Sequence, residues 1–275
     1  MLSSLPPRLT FGLVDAGGEE RNGVAAWAAL TEWMTAHAGL TLVRRAIPTY
    51  KELAACVREG ACDVAWLPPV AYAWLAEAVN PIGSIVREGR TTYAAALVVS
   101  EGSTLRELGD LRAVRAGWVD PWSAAGYVVP RLELARARVD PSAAFATETF
   151  YGSHRDALLA LGRGECDVVG TYATKPLDED ESGVAGAWTA MEGLRVRVLT
   201  TFGAIPTDVL ATRRNLAPAD HERAANAFRK ACSEPAGQAL VRAVFGGDEL
   251  REGVAAGHEA LRLEYERAIA NGLFD

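Results

Sequence analysis

The chain spells one phrase twice. Residues 58–66 read REGACDVAW, and residues 162–170 read GRGECDVVG. The match extends upstream, where Thr49 aligns with Ser153, Tyr50 with His154 and Lys51 with Arg155. Leu53, Ala54 and Val57 align with Ala157, Leu158 and Leu161. Counted from Tyr50 or His154, these positions fall at i, i+3, i+4 and i+7, which is one face of an α-helix. Thr49 and Ser153 stand where an N-cap belongs, and Thr49 with Glu52 makes a capping-box pattern. Gly60 and Gly164 stand where a helix stops. CDVAW and CDVVG then read as short buried strands. A hydroxyl-capped helix, a glycine turn and a buried strand, written twice, point to two similar α/β lobes.

The remaining segments fit that plan. LTFGLV (9–14), TLVRRAI (41–47), AVRAGWVD (113–120) and AAFATETF (143–150) read as strands. TYAAALVVS (92–100) reads as a strand crossing between lobes, and RVRVLTTF (195–202) as one returning. Helices are expected over 24–35, 105–111, 123–137 with a break near Pro130, 218–233, 235–244 and 256–270. Alternating strands and helices predict mainly parallel sheets covered on both faces. Lobe 1 is expected to hold residues 1–98 and 203–275, and lobe 2 residues 99–202. Two hinge strands would join them around a cleft. Helix first turns carry N–H groups without acceptors and the positive end of a dipole, so Thr49, Ser123 and Ser153 mark candidate anion sites.

Composition narrows the classes. The 275 residues are 49% hydrophobic with a net charge of −7, and no dense Lys/Arg stripe appears, which argues against nucleic acid and anionic membranes as partners. No apolar run reaches the length of a spanning helix. The start, MLSSLPPRLTFGLV, has no basic n-region and no long apolar h-region, so the chain as written reads as cytoplasmic, or as periplasmic with an export segment removed. Cys56, Cys62, Cys166 and Cys232 lack CxxC spacing and neighbouring histidines, so no metal site and no cofactor are expected. Neither a GxSxG elbow nor a Walker A loop is present. Ser153 and His154 are adjacent on one helix turn, so their side chains diverge and do not form a nucleophile–base pair. The glycine-rich acidic loop DAGGEERNG (15–23) reads as a cleft-edge loop.

Four segments resemble the solute-binding proteins of phosphate, phosphite and phosphonate ABC transporters. They are YKELAACVREGACDVAWLPPVAYA (50–73), WVDPWSAAGYVVP (118–130), FYGSHRDALLALGRGECDVVG (150–170) and IPTDVLATRRNL (205–216). The tail FRKACSEPAGQALVRAVFG (228–246) fits as well. The resemblance implies a type 2 periplasmic-binding-protein fold and an anion held where the Ser123 and Ser153 helices converge. Ser123, Ser153, His154 and the N–H groups of Ala124, Ala125 and Gly126 would bind it. Tyr50 and Tyr93 would close the site from the first lobe, and Trp66 would line the wall. The family's Ser-Thr-Ser-Gly run is here Ser123-Ala124-Ala125-Gly126, which removes two hydroxyl donors. The loop after Gly170 has no carboxylate before Asp178, which disfavours a cationic ligand tail. Trp122, Tyr127, Tyr151 and Tyr172 would make the walls aromatic.

The expected function is therefore non-catalytic binding of a small anionic solute, a phosphonate, phosphite, phosphate-like ion or carboxylate, by hinge closure. The role would be transport or sensing, with an ABC permease or a sensor protein as partner. The alternative is a cytoplasmic enzyme on the same scaffold, resembling chorismate dehydratase of menaquinone biosynthesis. A third reading is a degenerate scaffold for partner binding. For several residues a structural role competes. Capping alone accounts for Ser153, packing for Trp66, strand-start hydrogen bonding for Asp63 and Asp167, and pinning of the returning segment for Asp208.

Overall fold

The structure is a computed structural model that describes residues 6–14, 20–174, 183–247 and 249–274, without the side chains of 20–22. Residues 15–19 of the acidic loop and Asp178 lie outside the described residues.

The chain divides into two units. The first contains β1 (Arg8–Val14), α1 (Glu20–Ala38), β2 (Thr41–Ile47), α2 (Tyr50–Arg58), β3 (Val64–Leu67), α3 (Pro69–Leu75) and β4 (Val79–Val86). The second contains β5 (Thr92–Ser100), β6 (Val114–Trp118), α4 (Val129–Arg136), α5 (Pro141–Ala144), β7 (Phe145–Phe150), α6 (His154–Gly162), β8 (Val168–Ala173) and β9 (Val196–Pro206). The chain then returns to the first unit for β10 (Val209–Arg213), α7 (Pro218–Ser233), α8 (Pro235–Phe245) and β11 (Glu249–Glu252). It ends in α9 (His258–Ala270), which groups with the second unit from Glu259 onward.

The first sheet runs β11-β4-β10-β3-β1-β2 and the second β7-β6-β8-β5-β9. In the first, β2, β1 and β3 are parallel, and β10 is antiparallel to both β3 and β4. In the second, β7, β6 and β8 are parallel, and β5 is antiparallel to both β8 and β9. Setting β11 aside, the two sheets have the same strand order and directions. Each three-stranded parallel block is followed by one reversed strand, and that strand is the first one formed after the chain enters from the other unit. The sheets are thus mixed, and the expected parallel character belongs to the three-stranded blocks.

The repeated phrase is the same construction built twice. Thr49 Oγ1 accepts from the Glu52 N–H at 3.2 Å, and Ser153 Oγ accepts from the Asp156 N–H at 3.0 Å. Each helix closes with a bond across its end, from Ala61 N–H to the Cys56 carbonyl and from Glu165 N–H to the Ala160 carbonyl, both 2.9 Å. The chain leaves through Gly60 at φ 73° and Gly164 at φ 71°, the left-handed region that glycine enters without steric cost. Asp63 then exchanges two bonds with Thr10 of β1. Its N–H donates to the Thr10 carbonyl and its carboxylate accepts from the Thr10 N–H, each at 2.9 Å. Asp167 does the same with Arg115 of β6, each at 2.8 Å. The cysteine before each aspartate packs its sulfur against a glycine of the neighbouring strand, where no side chain fits. A Cβ on Gly12 would sit 2.8 Å from the Cys62 sulfur, and one on Gly117 would sit 2.9 Å from the Cys166 sulfur. The repeat is therefore structural: it stitches the third strand of each parallel block to the first.

Three boundaries differ from expectation. The chain crosses to the second unit at Thr92 instead of residue 99, and it returns at Thr207 instead of residue 203. The tail was assigned to lobe 1, but Glu259 and beyond pack with the second unit. Tyr265 meets Phe274, and Phe274 meets Tyr127, in edge-to-face contacts at 5.0 and 5.6 Å. Arg131 Nε donates to the Leu273 carbonyl at 2.7 Å, and Arg136 pairs with Glu264. Buried aromatic contact and charge pairing hold α9 there. The helix expected over 105–111 is a single 3-10 turn at Leu108–Asp110, capped reciprocally by Glu107 and Asp110.

Candidate functional site

The parallel strands β6, β7 and β8 of the second unit end on one side, with Trp118 registered opposite Phe150. Ligands of open α/β sheets bind beyond the carboxyl ends of such strands. Two helix starts stand there. After β6 the chain turns at Asp120, whose carboxylate accepts from the Trp122 N–H at 2.7 Å. Ser123 follows as N-cap of a π-helical turn, Ala124–Val128, that runs directly into α4. After β7 the chain passes Tyr151 and Gly152 to reach Ser153, the N-cap of α6.

Backbone bonds hold these two starts side by side. The Tyr151 N–H donates to the Trp118 carbonyl at 2.9 Å, and the Gly152 N–H to the Val119 carbonyl at 2.8 Å. The Ser123 turn is also pressed onto β8. A Cβ on Gly170 would meet the Trp118 ring at 2.7 Å and the Gly126 carbonyl oxygen at 2.9 Å, so only glycine fits. The next residue, Thr171, is fully buried, and its hydroxyl lies 2.9 Å from His154 Nδ1. Ser123, Ser153, His154 and Thr171 thus belong to one edge of the second sheet.

The donors at this edge differ in what they have left to offer. Ser123 Oγ accepts from the Gly126 N–H at 3.1 Å, and no acceptor takes its own proton among the described residues. Gly126 is therefore already engaged, although its N–H was expected to serve the ligand. The N–H groups of Ala124 and Ala125 lie in the first turn, where a helix supplies no acceptor, and none is found for them among the described residues. Ser153 is spent differently. Its hydroxyl accepts from the Asp156 N–H and donates to the Asp156 carboxylate at 2.7 Å, so the cap satisfies both of its functions locally.

Burial pushes the His154 imidazole down to about 4, so it is neutral at pH 7. It enters the site as a hydrogen-bonding ring and not as a cation. When Thr171 donates to Nδ1, the ring proton resides on Nε2, which is then a donor. Tyr172 meets the ring edge-to-face at 5.0 Å. Burial also pushes the Asp120 carboxyl up, and the bond from the Trp122 N–H opposes this. The depressed imidazole carries a stability prediction. Between pH 6.5 and about 4 the unfolded chain binds a proton here that the folded chain refuses. Stability from this group is therefore complete above pH 6.5 and lost as pH falls toward 4, by about 3 kcal/mol. Urea unfolding at pH 7 and pH 4.5 is expected to show a loss in the wild type that is smaller in His154→Gln.

The other expected residues fall elsewhere. Tyr50, half-buried, is the first residue of α2 in the first unit. Trp66 is buried in that unit's core, stacked on Phe245 at 4.3 Å, with the Arg87 guanidinium 6.0 Å from its ring. Packing accounts for Trp66, and its expected role in a site wall is not supported. Tyr93 was placed with the first lobe but groups with the second unit, on β5 opposite Ile205. Tyr127 is likewise a core residue, packed against Trp118, Phe150 and Phe274. Tyr172 is 37% exposed. Asp208 is buried and paired with Arg87, so it pins the returning segment. Sequence reasoning missed Thr171, the partner of His154. Its position directly after the repeated phrase was the available signal. A separate concavity of about 410 Å³ in the first unit, lined by Arg58, Gly60, Glu77, Arg213 and Arg214 among others, shares no residue with these candidates.

A family model described as ABC transporter, phosphonate, periplasmic substrate-binding protein matches residues 17–255. Among curated proteins, the phosphonates-binding periplasmic protein of Escherichia coli (strain K12) is 24% identical over 241 residues, covering 85% of this chain and 69% of that one. Among solved structures, a binding protein component of an ABC phosphonate transporter from Pseudomonas aeruginosa superposes with a TM-score of 0.79 at 20% identity, covering 97% of this chain and 89% of that one. A Prochlorococcus marinus (MIT 9301) protein in complex with methylphosphonate gives 0.75 at 12% identity, covering 96% and 99%. At these identities the structural likenesses bear on the fold, which is that of the periplasmic binding proteins.

Proposed function

The chain belongs to the periplasmic substrate-binding proteins of phosphonate ABC transporters, and from that premise we propose that it binds a small tetrahedral oxyanion at the Ser123–His154 edge of its second unit. The family consists of binding proteins and not enzymes, so the lyase alternative is not retained. Family membership implies a small anionic ligand and an ABC permease as partner. Delivery to that permease, in preference to a sensor protein, and a periplasmic location are parts of the proposal. Among the described residues no helix is long and apolar enough to cross a membrane.

The observation that carries the proposal is the pair of bonds from Tyr151 and Gly152 to Trp118 and Val119, which brings two helix starts to one edge. The ligand's oxygens would accept from the Ala124 and Ala125 N–H groups, the Ser123 hydroxyl and His154 Nε2. The positive ends of two helix dipoles favour its charge. Ser153 acts mainly by capping α6. Without the two additional hydroxyls of the family run, affinity rests on fewer donors. A phosphonate with an uncharged tail fits best. Residues 171–174 carry no carboxylate to hold an amine.

Calorimetric titration with methylphosphonate, 2-aminoethylphosphonate, phosphite, phosphate and acetate tests this. A phosphonate with an uncharged tail is expected to bind more tightly than its aminated counterpart. Ser123→Ala is expected to weaken binding by about tenfold or more, the loss of one hydrogen bond to a charged group, whereas Ser153→Ala chiefly lowers stability, by about 1 kcal/mol. Absence of binding by every anion in the panel, or unchanged affinity in Ser123→Ala, would contradict it.

A further inference from the structure

The two copies of the repeated unit differ in one respect that their shared architecture does not require. Cys62 of the first copy has a sulfur neighbour. Its Sγ lies 3.0 Å from the Sγ of Cys56, six residues earlier on the last turns of α2. The corresponding cysteine of the second copy is Cys166, and the position aligned with Cys56 there holds Ala160. Ala160 is fully buried in an otherwise matching helix end, with the matching bond to Glu165 N–H. Alanine thus suffices for packing at this point of the turn. Cys56 in the first copy adds a second thiol beside the first.

We propose that Cys56 and Cys62 form a site of reversible cross-linking, closing to an intramolecular disulfide on encounter with a disulfide oxidant, either oxidised glutathione or a protein disulfide. The backbone is already arranged for it. The Cys62 N–H donates to the Cys56 carbonyl at 3.3 Å, which keeps the two main chains adjacent, and the sulfurs must approach by only about 1 Å to reach bonding distance. Both residues are buried, and burial together with the Cys56 contact pushes the Cys62 thiol up to about 12. Cys56, the slightly more accessible of the two, is the entry point. Its thiolate attacks one sulfur of the oxidant, and the other half leaves as a thiolate that takes up a proton. The Cys62 sulfur then displaces the attached half from Cys56 while its own proton passes to that departing thiolate. The protein loses two protons and two electrons, and the oxidant becomes two thiols.

The cross-link would tie the end of α2, which begins at Tyr50, to the start of β3. This inference does not depend on the proposed ligand. The folded full-length chain is incubated with dithiothreitol or with oxidised glutathione, acid-quenched, unfolded, alkylated with N-ethylmaleimide and mapped by peptide mass. Expected is alkylation of both Cys56 and Cys62 after reduction, and of neither after oxidation, with the two found in one linked peptide. Cys56→Ala, which copies the residue of the second unit, is expected to fold and to leave Cys62 alkylated under both conditions. The oxidised wild type is expected to melt about 5 °C higher than the reduced protein, and the variant to show no such difference. Full alkylation of both residues after oxidation, or a glutathione adduct on Cys56 with Cys62 still alkylated, would overturn the proposal.

Discussion

Gly126→Ala is expected to abolish measurable anion binding and to lower stability by roughly 1–3 kcal/mol, the cost of overpacking a filled site. The added methyl would lie 2.4 and 2.5 Å from Val119 and 2.7 Å from the Ser123 hydroxyl oxygen. None of these neighbours is the end of a flexible side chain. Val119 is buried and bonded through its own N–H to the Gly126 carbonyl, and Ser123 is buried and bonded to the Gly126 N–H. The turn must therefore open. Opening moves the Ser123 hydroxyl and the Ala124 and Ala125 N–H groups together, so the loss in binding exceeds that of Ser123→Ala. Urea unfolding and calorimetry on the same preparation separate the two effects. A folded variant with wild-type affinity would show that the turn does not hold the ligand.

Arg131→Ala is expected to lower stability by about 2–3 kcal/mol, because it removes a buried guanidinium stem and its charge-assisted bonds to the solvent-facing Glu148 and to the Leu273 carbonyl. Arg131 is 7% exposed and donates to Glu148 at 2.6 Å and to the Leu273 carbonyl at 2.7 Å, with its guanidinium 5.5 Å from the Tyr127 ring. Among the described residues, Glu148 would keep only its bond from the Trp118 indole. The C-terminal segment would lose one of its anchors to the second unit. Chemical unfolding is expected to report the loss, and limited proteolysis to cut sooner near Leu273. Arg131→Lys should recover only part of it, since an ammonium lacks the planar fork that reaches both partners. Equal stability of wild type and Arg131→Ala would contradict this account of how the tail docks.

What the sequence disclosed, and what it hid, follows from where the information lies. The repeat disclosed the lobes because capping, helix termination and the aspartate stitch are local, and each leaves a residue type at a fixed offset. Thr49, Gly60 and Asp63 each act within a few residues or on one neighbouring strand. The reversed strand in each sheet was not legible, because its direction depends on the route of the chain between units. β4 was hidden by Pro81, which demotes a run as a strand. Here the ladder shifts register at that point, opposite Ala211. The tail was misassigned because its anchors, Arg131 and Tyr127, lie far from it in sequence. At the site, Ser123 and Ser153 were found by their capping pattern. The same pattern concealed that Ser153's hydroxyl is consumed by Asp156, since a cap and a ligand donor share one signature. Thr171 was overlooked because a lone threonine within a strand announces nothing until the fold sets it beside His154.

The most direct test of the central claim is the backbone amide spectrum of the isotope-labelled protein during titration with methylphosphonate. The Ala124 and Ala125 amide protons are expected to move downfield as they bond to oxyanion oxygens, saturating with one common dissociation constant. Binding that saturates while both resonances stay in place would contradict it.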